Sequence, residues 1–155
     1  MTIGFDSLGI SASGLTADRL MMDVISNNIA NANTTRTPEG GPDRREIAIL
    51  APIEAKQGTF SDFLSRAGIE QESINNAGIN TAGVQVTGIA QDQSPFKLVY
   101  DPTSPDAVNG YVQMPNVDIS QEMVDMISAS RAYEANATAF DAAKQMDMDA
   151  LTIGK

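Results

Sequence analysis

The chain has 155 residues, and its 20 acidic and 10 basic side chains give a formal net charge of −10. The surplus is spread along the chain, with one Arg against three Asp in residues 1–33, six basic against ten acidic groups in 34–117, and three against seven in 118–155. No stretch is basic enough for a nucleic-acid footprint. With no Cys and no His, disulfides and thiolate chemistry are excluded, as are the commonest general base and zinc ligand, leaving carboxylates as the main candidates for acid–base work.

No apolar run approaches the ~18 residues of a transmembrane span. Met1–Asp6 has neither a basic region nor a continuous apolar core, so no cleaved secretory signal is expected. The length suits one domain, or a small domain with appended elements.

In chain order, the first element is a helix expected over Phe5–Ala32, on the order of 40 Å long. Leu8, Leu15, Met22 and Ile29 fall on seven-residue spacing, with Ile25 and Ala32 three residues after the last two. The helix ends in the Asn-rich stretch Ser26–Thr34. Asn tolerates the left-handed conformation and bonds to nearby backbone, which suits a helix terminus.

Pro38, Gly40, Gly41 and Pro42 then break any helix, and strand-like alternation follows. Glu46–Ile53 reads as a strand containing Pro52. Ser61 is placed to cap a short helix holding Phe63 and Leu64. Asn75–Gly83 is loop by composition. Val84, Val86 and Ile89 form a second strand, where Gly88 suggests a bulge, and Phe96, Leu98 and Tyr100 form a third. Pro102, Pro105 and Asn109-Gly110 punctuate a turn-rich return. The expectation is a small antiparallel β region with a modest core of its own.

The last element is a helix over Ile119–Ile153, on the order of 50 Å. Asp118 stands at the N-cap, with Gln121 three residues on as in a capping box. Ile119, Met126, Tyr133 and Phe140 recur every seven residues, and Met123 and Ala137 widen the stripe. A stutter then carries it on through Met148 and Leu151. Leu8, Leu15, Met22 and Ile29 are therefore expected to pack with Ile119, Met123, Met126, Tyr133, Ala137, Phe140 and Leu151. The fold class is mainly α with a β-rich insertion. Its long terminal helices form an antiparallel coiled-coil-like pair, and a small antiparallel β region lies between them. Residues 1–33 and 118–155 make the terminal-helix domain, and 34–117 the insertion. Leu20, Met21 and Val24, with Val124, Ile127, Ala132 and Ala139, lie off the expected seam, so the pair needs further partners.

Candidate chemistry is thin. Asp92, Asp101 and Asp106 lack the register of a calcium loop and read as solvated turn residues. Gly40-Gly41 near Arg44 and Arg45 matches no phosphate loop. No Ser-x-x-Lys is present for a Lys-activated nucleophile. Residues alone leave open an assembly subunit, a coiled-coil adaptor, or a carboxylate-dependent hydrolase in the insertion.

The order of residues at the helix ends is more specific. Ser26–Thr34 (SNNIANANT), through Asn27, Asn28, Asn31, Ala32, Asn33 and Thr34, resembles the N-terminal signature of the rod and hook family of bacterial flagellar axial proteins. Asn109–Asp118 (NGYVQMPNVD), through Tyr111, Pro115, Asn116 and Val117, is similar to the C-terminal signature of that family's C-type proximal rod proteins. So is Gln121–Asn136 (QEMVDMISASRAYEAN), through Arg131, Ala132, Tyr133 and Asn136. Thr35–Arg45 (TRTPEGGPDRR) is also similar, apart from Asp43 where an aromatic is expected. Nothing carries over to Gly58–Gly83.

The resemblance implies a structural subunit of the proximal rod that assembles helically and transmits motor torque for motility. It implies no enzymatic activity, no cofactor, no metal and no small-molecule substrate. It implies as partners other proximal rod proteins, copies of the chain itself and the membrane-ring base. It also implies passage through the flagellar type III export apparatus to the basal body outside the inner membrane, without a cleaved signal.

Overall fold

The computed structural model describes residues 3–38, 40–54 and 81–153, in the order α1 (Ile3–Ala30), β1 (Glu46–Glu54), β2 (Thr81–Gln91), β3 (Lys97–Tyr100), β4 (Tyr111–Met114) and α2 (Ile119–Ile153). The short helix expected after Ser61 lies outside the described residues, as does most of the loop expected from Asn75; its last residues, Thr81–Gly83, belong to β2.

Both helix ends follow from local chemistry. At the end of α1 the Asn31 side chain folds back, donating to the Asn27 carbonyl at 3.1 Å and to Asn27 Oδ1 at 2.9 Å, while Thr34 Oγ1 donates to Asn31 Oδ1. The Asn27 carbonyl, which also accepts the Asn31 N–H at 3.0 Å, thereby takes a second donor. At the start of α2 the Asp118 carboxylate accepts the Ser120 N–H at 2.9 Å, the expected N-cap. The reciprocal half of the capping box is replaced: Gln121 donates forward to Asp125 at 2.9 Å.

The two helices run antiparallel. Asn28 of α1 meets Glu122 near the start of α2, and Asp18 meets Asn136 two heptads further along. The buried line on α1 runs through Gly14, Ala17, Asp18, Val24 and Asn28, and on α2 through Glu122, Ala129 and Ala143. Leu8, Leu15, Met22 and Ile29 flank this line, half-buried, as do Met126, Ala137 and Phe140. The buried line lies one residue, about 100° around the helix, from the apolar stripe on α1, and three residues, about 60°, from it on α2. Closest approach therefore falls on small and polar residues, not on the largest apolar ones. A Cβ placed at Gly14 would sit 2.7 Å from Asn136 Nδ2, so the helix backbone comes close to that amide. Ile119, Met123, Tyr133 and Leu151 are exposed on the chain.

The insertion departs from expectation in two ways. Its strands form two separate antiparallel ribbons, β1–β2 and β3–β4, and β4 was read from the sequence only as part of a turn-rich return. Nor do the described strands enclose a core of their own. Ile47, Ile49, Leu50, Ile89, Leu98 and Tyr100 are exposed, and Val112 is the buried apolar strand residue among those described. The β1–β2 ribbon lies instead against α1. The register slips between Ile49 and Leu50, because Ile49 faces Gly88 while Leu50 faces Val86. Thr87 is the extra residue of the bulge expected at Gly88, and its hydroxyl donates to the Ile49 carbonyl at 3.2 Å.

The ribbon is tied to α1 at two places. At one end Asn28 holds Glu46. At the other the Val84 N–H donates to Ser13 Oγ at 3.1 Å, and that hydroxyl donates to the Ile10 carbonyl at 2.7 Å. Gly83, at φ 124°, passes so near Ser13 Oγ that a side chain there would collide with it. From Ser13 to Asn28 the helix rises about 22 Å, and the strand from Glu46 to Pro52, which pairs with Val84, covers about 20 Å. The two spans match.

In the second ribbon, Val108 and Tyr111 exchange backbone hydrogen bonds at 2.9 and 3.1 Å around Asn109 (φ 53°) and Gly110 (φ 81°). Two consecutive positive φ values are the pattern of the type I′ hairpin turn that Asn-Gly favours. Tyr100 and Tyr111 meet edge to face, with centroids 5.2 Å apart.

Candidate functional site

The most developed cluster of polar groups lies where α1, α2 and the start of β1 meet. Glu122 is 1% exposed and Asn28 is 2% exposed. Asn28 Nδ2 donates to Glu122 Oε2 at 3.1 Å and to the Glu46 carbonyl at 2.9 Å, while its Oδ1 accepts the Glu46 N–H at 2.9 Å. Arg45 donates through Nε to Glu122 Oε1 and through a terminal nitrogen to Asp125 at 3.1 Å. A buried carboxylate is costly unless it is paired and hydrogen-bonded. Glu122 has a guanidinium on one oxygen and an amide on the other.

A second layer holds Arg45 in place. Its backbone N–H donates to Asn116 Oδ1 at 2.9 Å, and Asn116 Nδ2 donates to the Asp92 carbonyl at 3.1 Å. Arg44 reaches the same Asp92 carbonyl at 3.1 Å and stacks over the Phe96 ring, 4.2 Å from its centroid. The Arg pair considered above as an anion-binding turn is therefore engaged in joining the strands to the helices. Pro115, beside Asn116, is fully buried.

The residues quoted from the sequence signatures divide between roles. Asn27, Asn28, Asn31, Thr34, Asn116 and Asn136 make side-chain hydrogen bonds that close helix ends or tie elements together, and Ala32 and Pro115 are buried. Tyr111 packs on Tyr100, and Val117 is half-buried. Asn33, Arg131, Ala132 and Tyr133 face outward, and Arg131 pairs with Glu134 at 2.8 Å one turn along its own helix. Sequence reading did not pick out Asp18, Glu46 or Glu122, and weighed Arg45 only beside the Gly40-Gly41 turn. A usable signal was present: Glu122, Ala129, Asn136 and Ala143 also fall every seven residues, a small-and-polar stripe beside the apolar one.

Next to the cluster is a cleft of about 400 Å³, lined mainly by Met21, Val24, Ile25, Ile47, Ala129 and Ala132. It is mostly apolar, with Arg45, Glu46 and Asp125 also among its lining residues. The turn carboxylates behave differently from one another. Asp92 and Asp101 form Asx turns with Ser94 and Thr103, and those hydrogen bonds hold both carboxyls below the usual aspartate value. Asp106 instead reaches across to Thr35 at 3.1 Å and Arg36 at 3.6 Å. Among the described residues no three carboxylates gather as a metal site would require. No described helix is long and apolar enough to cross a membrane.

Similarity to known proteins covers almost the whole chain. It is 49% identical to the flagellar basal-body rod protein FlgC of Borreliella burgdorferi over 158 residues, covering 96% of each chain. The chain belongs to the FlgC family of flagellar basal-body rod proteins. It is also 49% identical to FlgC of Bacillus subtilis over 97% of this chain and 98% of that one, and 38% identical to FlgC of Salmonella typhimurium over 94% of each. Residues 8–36 match the family described as flagella basal body rod protein, and 108–153 match the flagellar basal body rod FlgEFG protein C-terminal family. Those two matches cover α1 from Leu8 onward, all of α2, β4 and part of the polar cluster. As a rod protein of this family, the chain is a structural subunit of the proximal rod of the flagellar basal body, and not an enzyme.

Proposed function

We propose that the chain works as a helically assembling segment of the rod, transmitting motor torque outward for swimming. In this reading residues 1–33 and 118–155 form a coiled-coil-like strand of an inner tube, and residues 34–117 lie outside it. The neighbours are other proximal rod proteins, further copies of the chain and the membrane-ring base. The subunit reaches the periplasmic side of the envelope through the flagellar type III export apparatus, without losing a cleaved signal.

One observation carries the assembly reading. After α1 and α2 have paired, Met123, Val124, Ile127, Met146, Met148 and Leu151 remain exposed on α2. Side chains of this kind gain stability when neighbouring subunits cover them, at roughly 25 cal/mol per Å² of apolar surface removed from water. Exposed apolar groups near both ends of one helix suit subunit packing in an array better than an isolated soluble chain.

The test is recovery of variants in purified basal bodies, together with swimming in soft agar. Ile127→Asp and Phe140→Asp place a charge on the outer face and beside the helix seam, and both are expected to abolish rod incorporation and motility. Asp101→Asn alters an exposed turn and is expected to swim normally. If Ile127→Asp assembles normally, the outer face of α2 is not a subunit contact and the reading fails.

A further inference from the structure

The helix pair carries two polar stations, one buried and one part-buried, and their arrangement is reciprocal. At one, an Asn on α1 donates to a carboxylate on α2 (Asn28 to Glu122, 3.1 Å). At the other, an Asn on α2 donates to a carboxylate on α1 (Asn136 to Asp18, 2.8 Å). Asn28 and Glu122 are nearly inaccessible, and Asp18 is 7% exposed. The inward residues between the stations are small or apolar: Met21, Val24 and Ile25 on α1 and Ala129 on α2. Contacts of that kind are almost indifferent to a slide of one heptad, because each would meet another of similar size.

We propose that these two stations are the register- and partner-specifying residues of the helix pair: they fix α1 against α2 of the same chain in one alignment, rather than supplying most of its stability. Consider a slide of one heptad. In one direction Asn28 comes opposite Ala129 and Asp18 opposite Ala143. In the other, Glu122 comes opposite Met21 and Asp18 opposite Ala129. Either slide strands a buried carboxylate and a buried amide without partners. The penalty for such groups disfavours the slipped state by on the order of tenfold or more at each station. Replacing both members of a buried polar pair with apolar residues of similar volume is, by contrast, often neutral or stabilising. A single buried Asn is known to fix register in helix pairs in this way, at a cost in stability. The same logic selects the partner, since a helix lacking the complementary group at the matching depth meets the same penalty. The inference concerns pairing within one chain and stands apart from the rod reading above.

The chain has no Cys, so two introduced thiols can be spin-labelled without background. Labels at the exposed positions Arg19→Cys and Ala135→Cys report the alignment of the helices, and a slide of one heptad moves them by about 10 Å along the axis. The full-length chain is expected to give one narrow distance distribution. Asp18→Leu with Asn136→Leu should keep its helix content by circular dichroism while the distribution broadens or gains a second population. The swap Asp18→Asn with Asn136→Asp restores one donor and one acceptor and should restore the narrow distribution. Three results would overturn the proposal: a narrow distance that survives the double Leu change, a loss of helix content in that variant, which would make the station a source of stability, or a broad distribution in the unchanged chain.

Discussion

Asn28 and Glu46 hold each other by two hydrogen bonds of 2.9 Å, one in each direction between the Asn28 amide and the Glu46 backbone. A side chain here takes the place of a neighbouring strand, completing the pairing of the first residue of β1. The same Asn28 Nδ2 is shared with Glu122, so one amide joins three elements.

Removing that amide should be costly. Asn28→Ala leaves the Glu46 N–H and carbonyl without their partner and takes one donor from a buried carboxylate. The expected loss is on the order of 3 kcal/mol, read as a lowered midpoint in urea unfolding. Asn28→Asp keeps the shape and the acceptor but places a second carboxylate beside Glu122, so it should be no better tolerated than Ala.

Arg45 serves Glu122 and Asp125 together, through two different nitrogens. Arg45→Ala strands the Glu122 charge and should cost about 2–3 kcal/mol, less than a fully buried pair because Arg45 is partly exposed. Arg45→Lys offers a single point charge that cannot span both carboxylates in the same way. It should recover less than half of the loss, measured in the same unfolding experiment.

Gly14 and Asn136 form a pair for a double-mutant cycle. Gly14→Ala pushes against the Asn136 amide, which Asp18 holds in place, and is expected to lower stability by about 1 kcal/mol despite the better helix propensity of Ala. In an Asn136→Ala background the obstruction is gone. The same Gly14→Ala change should there raise stability by about 1 kcal/mol relative to that background. Equal effects in the two backgrounds would show that the contact does not constrain the helices.

Asp92 and Asp101 should titrate below 3.8 by carbon-13 NMR of their carboxyl groups. Their folded values are depressed, so the turns gain support while the carboxyls are ionised. That support is present above the unfolded value and disappears as pH falls through the folded one. Ser94→Ala and Thr103→Ala remove the main causes and should move each value back up. Both groups are exposed, so the chain's overall stability should hardly respond.

Much of this architecture was legible in residue order. Helix limits followed from Asp118 and from the Asn cluster after Ile29, because caps act over a few bonds and leave a local signature. The bulge at Gly88 and the turn at Asn109-Gly110 were visible for the same reason. Two things were not. The phase of the helix seam was misplaced, because seven-residue spacing is shared by Leu8, Leu15, Met22 and by Gly14, Met21, Asn28, and hydropathy favours the first set. Distance of approach between the helices decides for the second, and that depends on both helices at once. The dependence of the strands on α1 was hidden too, since Ile47, Ile49 and Leu50 read as a core while the fold leaves them exposed.

The two ties between α1 and the first ribbon make the ribbon a splint. With Ser13 and Asn28 fixed to Val84 and Glu46, four turns of helix cannot bow without stretching a strand of the same length. The amides of that stretch should therefore open to deuterium together with those of β1 and β2, as one cooperative unit, while the turns before Ser13 fray on their own. A slender helix braced in this manner resists buckling far better than its own diameter would allow.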